Sequence, residues 1–285
     1  MNNFVRSIPD WSKTVTHRLH LKLRQTTWRV RYLPEFIIIG AQKSGTTSLF
    51  DYLSQHPNLI PSYNKEVHFF DGGLNPHVDN FNKGLAWYLT HFPLKLELTN
   101  NKKAFEASPL YLFNPLVPKR ISESIPNVKL IAVLRNPTER AISHYFHEKR
   151  KGRESLTIEE ALQAEEERLK LVINEQDYKN NMFMHKSYKM RGLYCDQIKR
   201  YLEFFPMSNI LILNSESLFK HPKNTLRRVF RFLGVDTEFT INDFKAHNVG
   251  SNRTKIDPDV YQSLQEYFRS PNESLYELIQ EDFRW

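Results

Sequence analysis

The sequence predicts an α/β domain built on a mostly parallel β-sheet with helices on both faces. Two observations carry this. Short, continuous apolar runs end in glycine or a polar residue, as buried parallel strands do. Segments with helical spacing lie between those runs, and alternation of the two implies a parallel sheet covered on each side.

Residues 1–34 are basic and form an extension ahead of the domain at 35–285; Leu19, Leu21 and Leu23 alternate as they would on one face of an extended strand. The extension can pack on the domain or attach to an anionic membrane, and packing is the favoured reading. FIIIG at 36–40 reads as a buried strand, and 46–56 as a helix with Leu49, Phe50 and Leu53 on one side and Pro57 stopping it. Strands follow at 103–107 and 128–134. A helix starts at about Pro137, since proline suits a first turn. Two strongly helical stretches, 157–173 and 185–204, precede a strand at 209–213 and a helix near 222–233. The tail from Pro258 is expected to alternate helix and turn around Ser270-Pro271.

Composition narrows the function classes. Forty basic and 32 acidic side chains leave a net charge of +8, which suits an anionic ligand, an anionic acceptor or a membrane surface. Lysine and arginine are rarely interleaved with aromatics, so nucleic acid is not the expected partner. The single Cys195 leaves no intramolecular disulfide and no cysteine-based zinc cluster. No signal-peptide pattern is seen, and the longest apolar runs are far too short to span a bilayer, so a cytoplasmic location is expected.

The first strand runs directly into GAQKSGTTSL at 40–49. A glycine-bounded turn opening a helix aims backbone N–H groups and the positive dipole end at an anion. Gly40 and Gly45 have the spacing of a P-loop, yet Thr46 stands where that motif needs lysine, and the lysine comes earlier, at Lys43. The run LIAVL ends in Arg135 rather than in an acid that would hold Mg²⁺. The cradle is P-loop-like without the equipment of a metal-dependent kinase or NTPase, so no metal is expected. A second anion site falls in LRNPTERAISHY at 134–145, where Arg135 and, two helical turns on, Ser143 can hold a phosphate. Two anion sites on one sheet describe a nucleotide with phosphate at both ends.

These two segments resemble the signatures that bind 3′-phosphoadenosine-5′-phosphosulfate (PAPS) in the sulfotransferase superfamily. The resemblance extends to its heparan sulfate sulfotransferase branch through KEVHFFD (65–71), KGLAWYLTHFP (83–93), FEASPLYLF (105–113), YLEFFP (201–206) and LQEYFRSPNESLYELI (264–279). It implies a single sulfotransferase domain with PAPS as donor. Lys43 would meet the bridging oxygen of the leaving group. Ser44, Gly45, Thr46 and Thr47 would line the 5′-phosphosulfate, and Arg135 and Ser143 would hold the 3′-phosphate. Arg253 and Lys255 fall where the family has a basic segment over the nucleotide. Glu66 matches the general base, with His68 beside it. Burial would raise the Glu66 pKa towards neutrality; His68 is the second choice of base, or a packing histidine. Asp71 fits two roles, orienting His68 or capping a turn. His144 and His147 read as surface or packing residues.

Two departures concern the acceptor. Many animal members carry arginine at the place of Thr47 and lysine at that of Ala107, for an anionic glycosaminoglycan. The expected acceptor is therefore a hydroxyl or amine on a carbohydrate or glycolipid other than heparan sulfate itself, with a lipid or carrier-bound chain as the alternative. The pocket could also belong to a binding module that never turns over, but Lys43 and Glu66 standing together argue for an enzyme.

Overall fold

The run FIIIG forms the central strand, β1 (Phe36–Gly40), and every one of its residues is buried. The computed structural model describes residues 23–98, 101–244 and 256–285. After β1 come α1 (Thr46–Ser54), β2 (Leu59–Pro61), α2 (Gly84–Leu89), β3 (Lys103–Ala107), α3 (Val117–Ser124) and β4 (Lys129–Leu134). The second half holds α4 (Pro137–Arg150), α5 (Ile158–Gln163), α6 (Glu165–Asn174), α7 (Asn181–His185), α8 (Tyr194–Leu202), β5 (Ile210–Asn214), α9 (Ser215–Lys220), α10 (Pro222–Leu233) and α11 (Pro258–Ile279). The strands form one sheet in the order β2-β3-β1-β4-β5, and all four pairings are parallel.

Burial along β1 is continuous, but the side chains still alternate between two cores. Ile37 and Ile39 point into one with Ala104, Leu130, Tyr88 and Tyr201; Phe36 and Ile38 point into the other with Phe105, Val133, Leu49 and Val229. Alternate strand residues face opposite sides of a sheet, so helices covering both faces turn a period-two pattern into an unbroken apolar run. The chain leaves β1 for β2 and β3 on one side, then returns to β4 and β5 on the other. The carboxyl ends of β1 and β4 border the crevice where such sheets take ligands.

Some expectations shift. The edge strand β2 is short and ends in Pro61, which suits an edge and hid it in the sequence. The stretch 157–173 is two helices, broken at Ala164. The stretch 185–204 is not one helix: α8 begins only at Tyr194, after a 3-10 turn at Met190–Gly192. The tail is one continuous helix, α11, running through Pro271. A proline in a helix interior costs about 3 kcal/mol or more. Leu264, Phe268 and Leu275 are buried along one face of α11, and each such side chain returns about 1.5–3 kcal/mol, so the apolar face outweighs the proline. Leu23 lies in a helical turn rather than a strand, and Leu19 and Leu21 fall outside the described residues. From Leu23 onward the extension packs on the domain, with Arg24 and Arg31 donating to the carbonyl oxygen of Phe92.

Candidate active site

Gly40 ends β1 where a side chain has no room, since a Cβ there would lie 2.6 Å from that of Leu112. The chain then turns through 41–45, held by bonds from Ala41 N–H to the Val133 carbonyl and from Ser44 N–H to the Ala41 carbonyl. Gly45 has φ +94°, a conformation that favours glycine, and caps the start of α1. Thr46 is buried and Thr47 half-buried in the first turn of α1, whose N-terminus directs its N–H groups into the crevice. Lys43 sits inside this loop with φ 71°. Its pKa is lowered by burial and by the neighbouring Arg150 and Arg135, opposed by Glu148. Several cations crowd one loop beside a helix N-terminus, which fits a polyanionic nucleotide.

Arg135 follows β4 immediately, and its Nη1 donates to the Lys43 carbonyl at 3.3 Å, which joins the two predicted anion sites. Its Nη2 donates to Glu139 Oε2 at 3.1 Å. Pro137 opens α4 as expected, with Asn136 as the cap accepting from the N–H groups of Thr138 and Glu139. Ser143 lies half-buried on α4, two turns past Arg135. Arg140 does not reach the surface; it is fully buried and donates to the Tyr188 carbonyl. Arg253 and Lys255 lie outside the described residues.

The segment 65–71 crosses the carboxyl end of β3, where the Glu66 N–H donates to the Ala107 carbonyl. Ser108, just past β3, donates its N–H in turn to the Ile38 carbonyl of β1, so this segment lies across the end of the strand next to the one that runs into the phosphate loop. Glu66 and His68 have φ of 63° and 52°, and with Lys43 they place all three expected catalytic side chains on left-handed, strained backbone. His68 Nε2 lies 3.5 Å from Glu66 Oε2, and His68 Nδ1 lies 2.6 Å from Asp71 Oδ2. Asp71 performs both expected roles, because its Oδ1 accepts from the Gly73 N–H at the following turn.

The charge state corrects the sequence expectation for Glu66. Its side chain is 41% exposed rather than buried. What burial it has opposes ionisation, but His68 and Lys65 outweigh that and hold its carboxyl down at about 2. His68 is buried, which favours the neutral ring, yet the charge and hydrogen bond of Asp71, with Glu66 adding to them, push it up to about 10. At neutral pH the pair is a carboxylate beside an imidazolium, so the ring is a donor and Glu66 the basic member.

Several residues near the site carried weaker signals in the sequence. Tyr194, the first residue of α8, donates its hydroxyl to the Arg135 carbonyl at 2.9 Å. Arg191, buried just before α8, donates to Gln42 of the phosphate loop. Glu106 sits near the carboxyl end of β3, fully buried among hydroxyls; a charged residue inside an apolar strand was the signal for it. His144 is a buried packing residue against the Tyr188 ring, with its Nε2 3.6 Å from Glu148 Oε1. His147 and His185 also approach Glu148, but among the described residues no group of His, Cys, Asp or Glu is arranged to hold a metal. No described helix is long and apolar enough to cross a membrane.

A parallel sheet with a cationic, glycine-bounded loop after its central strand, an arginine after the neighbouring strand and a carboxylate–imidazolium pair opposite defines a transferase acting on an anionic nucleotide. The sulfotransferase domain model matches residues 33–274, and the chain belongs to the sulfotransferase family. It is 30% identical, over 90% of its length and 65% of the relative's, to heparan sulfate glucosamine 3-O-sulfotransferase 3A1 of Mus musculus. It is 28% identical, over 89% of its length and 66% of the relative's, to membrane-associated sulfotransferase kil1 of Dictyostelium discoideum. The chain thus spans about two thirds of the length of these two relatives. Among solved structures, a sulfotransferase from Alicyclobacillus acidocaldarius superposes with a TM-score of 0.73 at 31% identity, over 89% of this chain and all of that one. A mouse sulfotransferase complexed with PAP shares the fold at 13% identity, with a TM-score of 0.50 over 94% of each chain.

Proposed function

We propose that the protein transfers the sulfuryl group of PAPS to a hydroxyl or amine on a carbohydrate or glycolipid, releasing 3′-phosphoadenosine-5′-phosphate (PAP). The observation that carries this reading is the bond from Arg135 to the Lys43 carbonyl at the carboxyl ends of two adjacent strands, with the Glu66–His68–Asp71 chain beside them. PAPS supplies the activated sulfuryl group. The backbone of Ser44, Gly45, Thr46 and Thr47 holds its 5′ end, while Arg135 and Ser143 hold the 3′-phosphate. Arg253 and Lys255 are assigned to the same nucleotide on the resemblance alone.

Lys43 meets the negative charge that develops on the leaving phosphate. Such charge stabilisation is worth about 10²–10³ in rate where single donors have been removed from other enzymes. Glu66 takes the acceptor proton. Its low pKa makes it a weak base while Lys65 and His68 both pair with it, so an acceptor hydroxyl that displaces Lys65 raises the basicity of Glu66 as it binds. His68, charged and held by Asp71, keeps Glu66 in place and offers an N–H to the acceptor or to the transferring group.

A carbohydrate acceptor is supported by the names of the similar 3-O-sulfotransferases. Thr47 and Ala107 put neutral side chains where the resemblance implies basic ones, which favours a less anionic sugar than heparan sulfate. We further propose a cytoplasmic protein whose basic segment 1–34 gives it peripheral membrane contact; unchanged liposome partitioning after its removal would sink that part. The main test is calorimetric titration of PAP into wild-type protein without metal, with Arg135→Ala as control. Binding by the wild type that the variant loses supports the reading. No PAP binding, together with Mg²⁺-dependent ATP binding, overturns it in favour of a kinase.

A further inference from the structure

Glu106 is a charged side chain near the carboxyl end of β3, completely buried, and it pairs with no cation among the described residues. Three hydroxyls surround it instead. Tyr88 and Tyr111 donate to Oε1 at 2.7 and 3.2 Å, and Ser108 donates to Oε2 at 3.0 Å. A hydroxyl has one proton to give, so each of these oxygens is left with only acceptor capacity. Two of them spend it on the catalytic segment. Ser108 Oγ accepts from the His68 N–H at 3.2 Å, and Tyr111 Oη accepts from the N–H groups of Phe69 and Phe70 at 2.9 and 3.3 Å.

The direction of every bond in this network follows from the carboxylate, which accepts at both oxygens and donates at neither. An apolar residue of similar size would fill the same space but would leave the hydroxyls free to turn. The segment they hold needs holding, because Glu66 and His68 both occupy left-handed backbone that relaxes unless its surroundings fix it. We propose that Glu106 is a positioning residue for the transfer reaction: through Ser108 and Tyr111 its carboxylate fixes the amides of His68, Phe69 and Phe70, and so aims the Glu66–His68 pair at the acceptor. This rests on the reading of Glu66 as base.

The network also has a pH dependence. Burial pushes Glu106 up to about 7, against the three hydroxyl bonds, with the nearby charge of Asp71 adding to the rise. The titratable groups that face it are Tyr88 from α2, Tyr111 after β3, and Asp71 of the catalytic segment; both tyrosines are held neutral by burial. Below about 7 Glu106 takes a proton, one hydroxyl must turn to accept it, and the amide anchors loosen.

The test uses full-length Glu106→Gln, with PAP binding by calorimetry, transfer from PAPS to water followed as PAP release, and amide hydrogen exchange. The expected result is unchanged PAP affinity, transfer slowed about tenfold or more, and loss of the acid limb near pH 7. Exchange at 68–70 should accelerate by a similar factor, with β4 amides unaffected. Should Glu106→Gln fail to fold, Ser108→Ala removes one hydroxyl and is read in the same way at the His68 amide. Wild-type transfer with an unchanged pH profile overturns the proposal, as does slow, wild-type exchange at 68–70. Glu66→Gln separates the two readings. Retained transfer in that variant removes Glu66 as base, whereas fast exchange at 68–70 in Glu106→Gln with undiminished transfer removes the positioning role alone.

Discussion

Nδ1 of His68 lies 2.6 Å from Oδ2 of Asp71, and both side chains are less than a tenth exposed. A buried imidazole would ordinarily shed its proton, so this contact keeps the ring charged through the neutral range. Asp71→Asn preserves shape and the turn while removing the charge. The His68 pKa should then fall from about 10 towards neutrality, and the alkaline limb of the pH–rate profile should move down with it. At pH 8 transfer should drop about 10–100-fold. Histidine NMR titration beside the rate profile checks both, and an alkaline limb that stays in place would show that His68 takes no part.

Lys43 poses a different test, because its surroundings hold it at a cost. Burial and the two arginines lower its pKa, so the free protein gains little from the charge and a bound anion gains much. Lys43→Met should leave folding intact or improve it slightly, and should slow transfer about 10²–10³-fold. PAP affinity should fall less than the rate does, since the charge Lys43 answers develops mainly during transfer. Equal losses in binding and rate would make Lys43 an ordinary phosphate ligand.

The same titrations set the response of stability to alkali. The folded-state pKa of His68 is raised from 6.5 to about 10, so the folded protein binds more protons than the unfolded chain across that range. Its contribution is complete below pH 6.5 and is lost as pH climbs through 10. Thermal melts should therefore show Tm falling between pH 7 and pH 10. His68→Asn should lower Tm at pH 7 and flatten the slope. An equally steep slope in the variant would place the alkaline loss elsewhere.

Legibility in the sequence followed the range of the interactions. The strands at 36–40, 103–107 and 128–134 and the phosphate loop were readable because apolar runs, glycines and a cap are local signals. The roles proposed for Lys43 and Glu66 came from resemblance, Arg135 was readable as an anion ligand from its place after LIAVL, and the geometry adds the Arg135–Lys43 link that no spacing could reveal. The Glu66 charge state was missed for a local reason: the side chain lies 41% exposed beside Lys65 and His68, and sequence order says nothing of which face of a strained turn meets water. Glu106 bonds Tyr88 and Tyr194 bonds the Arg135 carbonyl, partners 18 and 59 positions away and beyond any periodicity.

Pro271 offers the sharpest check on the tail, which the sequence misread as alternating helix and turn. Position 271 lies well inside α11, four residues after Tyr267, whose carbonyl a non-proline residue there would bond. Substitution by alanine restores that bond and removes a ring clash, a gain of about 3 kcal/mol in an ideal helix interior. Against it stands the looser unfolded chain, a loss of about 0.4–1 kcal/mol, and the helix has already adjusted around the ring. The first effect is larger, so Pro271→Ala should stabilise the protein by about 1–2 kcal/mol and raise Tm by several degrees. Denaturant unfolding should report a higher midpoint with an unchanged slope, as expected when the native fold is kept. A lower midpoint would mean that the proline ring itself packs to advantage, and that the helix is bent there because the contacts of Phe268 and Leu275 require it.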